Sequence, residues 1–488
     1  MPTTPTHLRL WIRHLALPIA LHVALCLGLY QLGFSNREMR RLLIDRPSHL
    51  IDTYVNAVHL YGPIGAVRAY FRGESDERLY FEYATLLLRG HADMAYIADR
   101  QNDHRAHAPL PARAWPYRDV RVEYPPLAFL ALAPPALFAT TYAAYRWVFI
   151  LYMLLLHVVN LWLGWRLLHP QLAPSDDREQ GARRAGRMLY GSLLFCAALG
   201  SLVTTRMDHI AVTWTLLSLL AFERAQSTSG RARLGWAAAC GAVAALGVMT
   251  KLVPGLAALA GSVLWLRSGA LDRYRCVLAC ALGGAIGLSI INLPMLALVA
   301  APYWETFRYH GLRGVQIESI YAGVLLLLRP LGPQLRVDES FGSTNLASSA
   351  TELIKLVSPC LFLVATAYVL LRRRFAPTAL GATVLTSVLL LLFMLTNRVF
   401  SPQYLIWIAA PLLVLAAHQP AERRSWWTCL LAVLLSQLIF PRGYPLLKAF
   451  HPLAVVLLNL RNGLLVWVVL RLVRAYSRPS AAIFPTAR

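Results

Sequence analysis

The sequence predicts an all-α polytopic membrane protein: one integral-membrane domain over residues 1–488, built as a bundle of about twelve transmembrane helices with a large first extracytoplasmic loop. Three observations predict it. Hydrophobic residues make up 57% of the chain and charged residues only 15%, with a mean hydropathy of +0.50. A soluble chain of this length needs a more polar surface. Apolar runs recur at lengths near the ~20 residues that cross a hydrocarbon core of about 30 Å as helix. They are continuous Leu/Ala/Val runs without the alternation of a barrel strand, so helices must satisfy the backbone in lipid. Finally, the basic residues gather in short loops between runs, as in Arg183-Arg184, Arg372-Arg373-Arg374 and Arg423-Arg424. That is the positive-inside pattern. It accounts for the net charge of +23 and argues against nucleic acid as a partner.

Taken in order, the first span runs from about Leu15 to Phe34, with Arg9, Arg13 and His14 on its cytoplasmic side. No small-residue cleavage site follows it, so it reads as an uncleaved helix. The segment 35–124 then holds twelve of the chain's 24 acidic residues. Within it Leu50–Tyr70 and Arg78–Arg89 are amphipathic enough to lie as interfacial helices. Apolar runs follow at 125–139 and 143–168, then at 189–205, 209–223, 235–250, 252–267, 276–300, 352–371, 378–396, 404–418, 425–440 and 451–472.

If 125–139 crosses, the arginines of 169–188 and 372–374 fall outside. If it is a half-helix or the first part of one bent span, they all turn cytoplasmic, which the positive-inside rule prefers. Twelve crossings with both termini inside result. Segment 301–351 becomes a second extracytoplasmic loop, its part 331–351 exposed. All seven cysteines fall within apolar runs, which disfavours a disulfide framework or a zinc site.

This topology brings the unusual polar groups to one outer face. Ionisable residues at membrane depth are costly and normally face a cavity or a partner. Asp208 reads either as a local ion pair with Arg206 or as the wall of a site. Lys251 reads as a snorkelling interfacial lysine or as a compact point charge for a phosphate. Within Tyr309–Ser319, Arg313 offers a planar fork suited to phosphate oxygens, and His310 a donor or proton relay; Glu318 lies nearby. An aromatic belt accounts for Tyr404 and Trp407 but not for Arg398 together with Gln403. The first loop supplies Asp76, Glu77, Glu82 and Glu123 as candidate bases, among Tyr80 and Tyr124.

The ordered pieces Asp76–Ala84, Gly90, Glu123-Tyr124-Pro125-Pro126, Arg206–Asp208, Lys251–Pro254 and Ser401–Trp407 resemble glycosyltransferase family 87. These are polyprenol-phosphate-mannose-dependent mannosyltransferase-like proteins of the GT-C superfamily. The resemblance implies a GT-C-like bundle and an inverting glycosyltransferase of the plasma or inner membrane, working on its extracytoplasmic face. Its partners would be a polyprenyl-phosphate sugar donor, a glycolipid or glycan acceptor and the bilayer. The first-loop aspartate would be the base, which is Asp76 here with Glu77 adjacent. His310, Lys251, Arg313 and Arg398, with Gln403 and Tyr404, would serve the phosphate. Arg206, Asp208, Glu123, Tyr124, Tyr80 and Glu318 would shape the sugar and acceptor side. No metal or other cofactor is expected, since a monophosphodiester leaving group can be met by cationic side chains. The segment between Gly90 and Tyr117, carrying His91, His104 and His107, departs from the family pattern. A transporter or flippase of lipid-linked saccharides is the alternative, although such folds often show repeat halves with their polar groups at mid-membrane.

Overall fold

A computed structural model describes residues 76–101, 114–175 and 177–479; the expected span at Leu15–Phe34 and the expected helix at Leu50–Tyr70 lie outside these residues. The described chain is mostly helical. Helices α1 (Glu77–Arg89), α2 (Met94–Gln101) and α3 (Pro126–Phe138) precede the long α4 (Tyr142–Leu172). Next come α5 (Arg178–Leu199), the single turn α6 (Leu202–Thr205), α7 (Asp208–Ser227), α8 (Gly230–Val248), α9 (Gly255–Arg267), α10 (Arg273–Val299) and α11 (Ala301–Leu312). Strand β1 (Val315–Gln316), helix α12 (Ile320–Leu328) and strands β2 (Arg336–Ser340) and β3 (Ser343–Ala347) lead into α13 (Thr351–Arg372) and β4 (Arg373–Phe375). The chain finishes with α14 (Ala379–Thr396), α15 (Ile406–His418), α16 (Arg423–Gln437), the short α17 (Tyr444–Lys448), α18 (Pro452–Tyr476) and β5 (Ser477–Pro479).

Five helices, α4, α10, α13, α14 and α18, are long and apolar enough to cross a membrane by length and composition. Four of the other apolar stretches, including α3, α9 and the segment Pro402–His418 that contains α15, are shorter. A 13-residue helix such as α9 reaches only about 20 Å at 1.5 Å per residue. Helix α5 has the length, but Arg178, Arg183, Arg184 and Arg187 occupy its first half.

The helix ends sort into two groups. At one end, the last turn of α15 receives Arg184 on the carbonyl of His418 at 2.9 Å and Arg187 on that of Ala417 at 3.2 Å. These guanidiniums satisfy carbonyls that a helix C-terminus leaves without partners and match its negative pole. The end of α9 reaches the start of β4, where Arg267 donates to the Arg373 carbonyl at 2.7 Å. His169, near the end of α4, meets His418 at 2.8 Å, and Gln171 accepts from the Leu380 N–H at 3.0 Å. Thus the arginine-rich segments at 169–188 and 372–374 share one end with the α15–α16 turn.

The opposite end collects the start of α3, where the Leu127 N–H donates to the Met249 carbonyl at 2.8 Å. Since α3 begins at one end and α4 finishes at the other, the two helices together make one traverse of the bundle. The break falls at Ala139, whose neighbourhood is closed by Arg89 donating to the carbonyls of Ala136, Ala139 and Thr140. Helix α1, the expected amphipathic helix at Arg78–Arg89, buries Leu79, Tyr80, Tyr83 and Leu86 in an apolar cluster with Phe129, Leu132, Tyr145 and Phe149 of α3 and α4.

The expectation of an exposed loop at 331–351 is corrected. β3 pairs antiparallel with both β1 and β2, giving a small three-stranded sheet; β4 and β5 pair separately. Its hairpin turns on Phe341 and Gly342, at φ +53° and +61°. Both values are positive, as the tight turn that matches strand twist requires. Leu346 of β3 and Val315 of β1 are buried in an apolar cluster with α12 and α18.

The closest helix pairing, α8 against α10, rests on glycines that let the backbones touch. A Cβ on Gly283 would lie 2.0 Å from the Ala238 carbonyl oxygen, and one on Gly241 would lie 1.8 Å from that of Cys280. Gly283→Leu is therefore expected to destabilise by about 2 kcal/mol or more through overpacking, read as a lowered melting temperature in detergent. Gly269→Leu, at a position with nothing within 4 Å, is expected to melt like the wild type. Equal melting of the two variants would refute this packing.

Candidate active site

At the end remote from the arginine-rich turns, the bundle encloses a cavity of about 820 Å³. Its wall carries six cations (Arg100, Arg206, Lys251, Arg313, Arg398, Lys448) and four carboxylates (Asp76, Glu123, Glu318, Glu339), with His310 beside them. A cationic surplus enclosed in protein favours an anionic guest, because water no longer screens the charges. One flank is apolar, formed by Leu252 ahead of α9, Phe307 of α11, Pro359 and Phe362 of α13 and Phe393 of α14.

Asp76 stands at the N-terminus of α1 and meets two guanidiniums. Arg206 pairs with its Oδ2, and Arg100 of α2 reaches its Oδ1 at 2.8 Å. The expected local pair between Arg206 and Asp208 is therefore replaced by a contact spanning 130 residues. Asp208 is sealed behind the wall, 1% exposed. Its Oδ1 accepts from the Lys251 ammonium and from the Trp407 indole N–H, both at 2.6 Å. Asp208 is thus not a surface of the cavity but the counter-charge that fixes Lys251, whose ammonium also sits 5.2 Å from the Tyr404 ring and 5.3 Å from that of Trp407.

Glu77 is corrected as a candidate base. Consecutive residues on a helix point about 100° apart, so while Asp76 faces the cavity, Glu77 is buried and meets Arg146 of α4 at 3.6 Å. Tyr80 is likewise buried, under Tyr124 and Phe149 at ring distances of 6.2 and 5.5 Å. Tyr124 itself lines the cavity, as do Gln403 and Tyr404.

The His310 and Arg398 expectations change in detail. The Nε2 of His310 lies 2.8 Å from the Glu123 carbonyl oxygen; since a carbonyl only accepts, the ring must donate there. Packing around the ring, with the Arg313 charge beside it, lowers the imidazole's hold on a proton, although one edge of His310 stays exposed. His310 thus spends Nε2 on the Glu123 carbonyl and leaves Nδ1 for the cavity. Arg398 spends its Nη2 on the carbonyls of His310 and Gly311, at 2.6 and 2.9 Å. It closes the C-terminus of α11 while keeping its charge on the cavity wall.

Arg313 is different. Its Nε is buried without a hydrogen-bond partner, and among the described residues no carboxylate pairs with it. Its nearest aromatic neighbour is the Tyr309 ring, 6.0 Å away. The Tyr309 hydroxyl in turn lies 3.1 Å from a Glu123 carboxylate oxygen and 2.9 Å from the Phe341 carbonyl, sharing its one proton between them and fastening the hairpin tip over the cavity. Glu318, 2% exposed, also reaches the wall. Tyr404 stacks on Trp407 at a ring distance of 4.2 Å and lines the same cavity as Arg313, Glu123 and Glu318.

Three lining groups carried no sequence signal read above: Arg100, Tyr444 and the hairpin residues Glu339–Thr344. Arg100 stands in a charged helix like any other, and the hairpin lacks the usual Asn-Gly turn. Compared with known proteins, the chain matches no protein-family model, no curated protein and no solved structure.

The buried pair of Asp208 and Lys251 generates a prediction. Lys251→Met leaves a carboxylate buried without its cation and is expected to cost about 3 kcal/mol. Adding Asp208→Asn should recover most of the loss, because the two effects are coupled. Thermal melts of the three variants in detergent measure this; additive losses would contradict the pairing.

Proposed function

We propose that the chain is a membrane glycosyltransferase that moves a sugar from a polyprenyl-phosphate donor to a lipid or glycan acceptor. The observation that carries the reading is Arg313: a guanidinium with no carboxylate partner among the described residues, on a cavity wall already rich in cations. An enclosed charge left without a partner is costly, and a phosphate would complete it. The apolar flank of Leu252, Phe307, Phe362 and Phe393 suits the hydrocarbon chain of such a donor. Helix α13, from which Phe362 projects, is mostly exposed and apolar along its length.

In this reading the acceptor hydroxyl attacks the anomeric carbon as the lipid phosphate departs. Arg313 and Lys251 stabilise the charge that grows on the phosphate. Asp76 takes the hydroxyl proton, with Arg206 and Arg100 fixing its orientation, and Tyr124, Glu123 and Gln403 bind sugar hydroxyls. The order of motifs that resembles glycosyltransferase family 87 points to the same chemistry. The positive-inside rule puts the arginine-rich end in the cytoplasm, so the cavity opens outside, in a bundle of about twelve crossings. A flippase is served less well, because its polar groups belong at mid-membrane and these gather at one end.

Two outcomes test the reading. Asp76→Asn, purified as a folded chain, is expected to lose transfer of radiolabelled mannose from polyprenyl-phosphate mannose by about 1,000-fold, within the range for removing a positioned base. Arg313→Met is expected to raise KM for that donor at least about tenfold, the loss of one charged hydrogen bond. Wild-type rates in both variants would refute the assignment.

A further inference from the structure

Beneath the cavity lies a second polar group that the reaction above does not use. Glu318 ends the short link between β1 and α12, and Ser319 caps α12 by accepting from the Ala322 N–H at 3.2 Å. The Glu318 side chain is buried yet reaches the cavity wall. Its Oε2 accepts from the Gln316 amide at 2.9 Å and, more distantly, from the Tyr444 hydroxyl at 3.4 Å. Gln316 is itself held by its contact with Ser401 at 3.1 Å.

Among the described residues no cation pairs with this carboxyl. The nearest candidate, Arg461 of α18, is 1% exposed and donates its Nη2 to the backbone carbonyl of Glu318, at 2.5 Å, rather than to the carboxyl. Its Nε and Nη1 are buried with no hydrogen-bond partner. The guanidinium carbon lies 4.1 Å from the centre of the Phe400 ring, which stacks on Tyr404, which stacks on Trp407. Arg461 therefore fixes both the Glu318 link and one end of the aromatic row whose other end carries Lys251.

We propose that Glu318 is a second acid–base residue of the cavity, entering the reaction protonated, and that Arg461 is the positioning residue that sets it on the wall. The inference rests on the glycosyl-transfer reading and assigns a role that reading leaves open. Asp76 meets two guanidiniums, Arg206 and Arg100. Glu318, enclosed without a cation on its carboxyl, is pushed up to about 7 by burial, against the opposing pull of Arg461, the Tyr444 and Gln316 hydrogen bonds and Arg206. Tyr404 of the aromatic row lines the same cavity. Carboxyl groups whose surroundings drive them apart divide into an acid and a base.

The step balances as follows. The acceptor oxygen bonds to the anomeric carbon while the bond from that carbon to the phosphate oxygen breaks, its electron pair staying on the oxygen. The hydroxyl proton passes to Asp76, and the Glu318 proton passes to the departing phosphate oxygen. A proton returned from Asp76 to Glu318 through solvent resets the site.

The test uses the full chain in lipid nanodiscs. Infrared titration of carboxyl groups is expected to show a protonated carboxyl lost through about pH 7, missing in Glu318→Gln. Its midpoint should move to higher pH in Arg461→Met, which removes the opposing cation, and in Gln316→Leu, which keeps the measurement decisive should the arginine variant not fold. With radiolabelled polyprenyl-phosphate mannose, the rate should fall as pH rises through the same midpoint. Glu318→Gln should lose about 100-fold and flatten that limb. No Glu318-dependent titration, an unmoved midpoint in the folded variants, or full activity in Glu318→Gln each overturns the proposal while leaving glycosyl transfer standing. No transfer by the wild type overturns the reading beneath it, and the infrared midpoint tells that failure apart from a misassigned Glu318.

Discussion

The contact on which the cavity depends is the pairing of Asp76 with Arg206. Asp76 opens the helix that follows the first polar segment, while Arg206 lies between two helices of the bundle in extended conformation. The pairing joins α2-bound Asp76 to the bundle floor at the cavity, beside the ties that Glu77 makes to Arg146 and Arg89 makes to the end of α3, and a segment of mixed charge becomes a wall. Removing an enclosed charge from such a pair leaves its partner uncompensated. The same constraint governs the neighbouring wall, where Asp208 can be buried because an ammonium and an indole N–H both reach it. What these pairings leave without a carboxylate among the described residues are Arg313 and Arg398, so the wall keeps a cationic surplus.

Enclosure sets the chemistry in the same way. The carboxylates of one cavity meet different surroundings: two guanidiniums at Asp76, a phenol at Glu123, an amide and a phenol at Glu318. The same functional group thus meets a different set of partners at each position. His310 shows the effect for a base, since its Nε2 must donate to a carbonyl while the Arg313 charge beside it disfavours a second proton.

Much of this was legible in the sequence, and the misses have physical causes. Composition and the apolar runs point to a helical membrane chain, and the arginine clusters do gather at one end of the bundle. The expected convergence of Asp76, Glu123, Arg206, Lys251 and the stretches near 313 and 403 is what the cavity wall contains. Adjacent residues were harder. Glu77 and Asp76 are equivalent in a string but diverge by a helical turn angle, and Arg206 cannot turn to Asp208 when the helix starts between them. Arg398 looks like a ligand for anything anionic until the free carbonyls of α11 are known. The hairpin carries Phe-Gly where Asn-Gly would have announced a turn, so its strands were read as loop. Crossing number is the least legible quantity, because helices broken by Pro, Lys and Arg at cavity depth are shorter than a straight span.

The most direct measurement is an electron cryo-microscopy structure of the chain in nanodiscs with a polyprenyl-phosphate sugar analogue. The account predicts phosphate density within hydrogen-bond distance of Arg313 and near the Lys251 ammonium, with the lipid chain leaving past Phe362 and Phe393. Phosphate bound at the arginine-rich end, or a cavity that stays without lipid at saturating analogue, would contradict it.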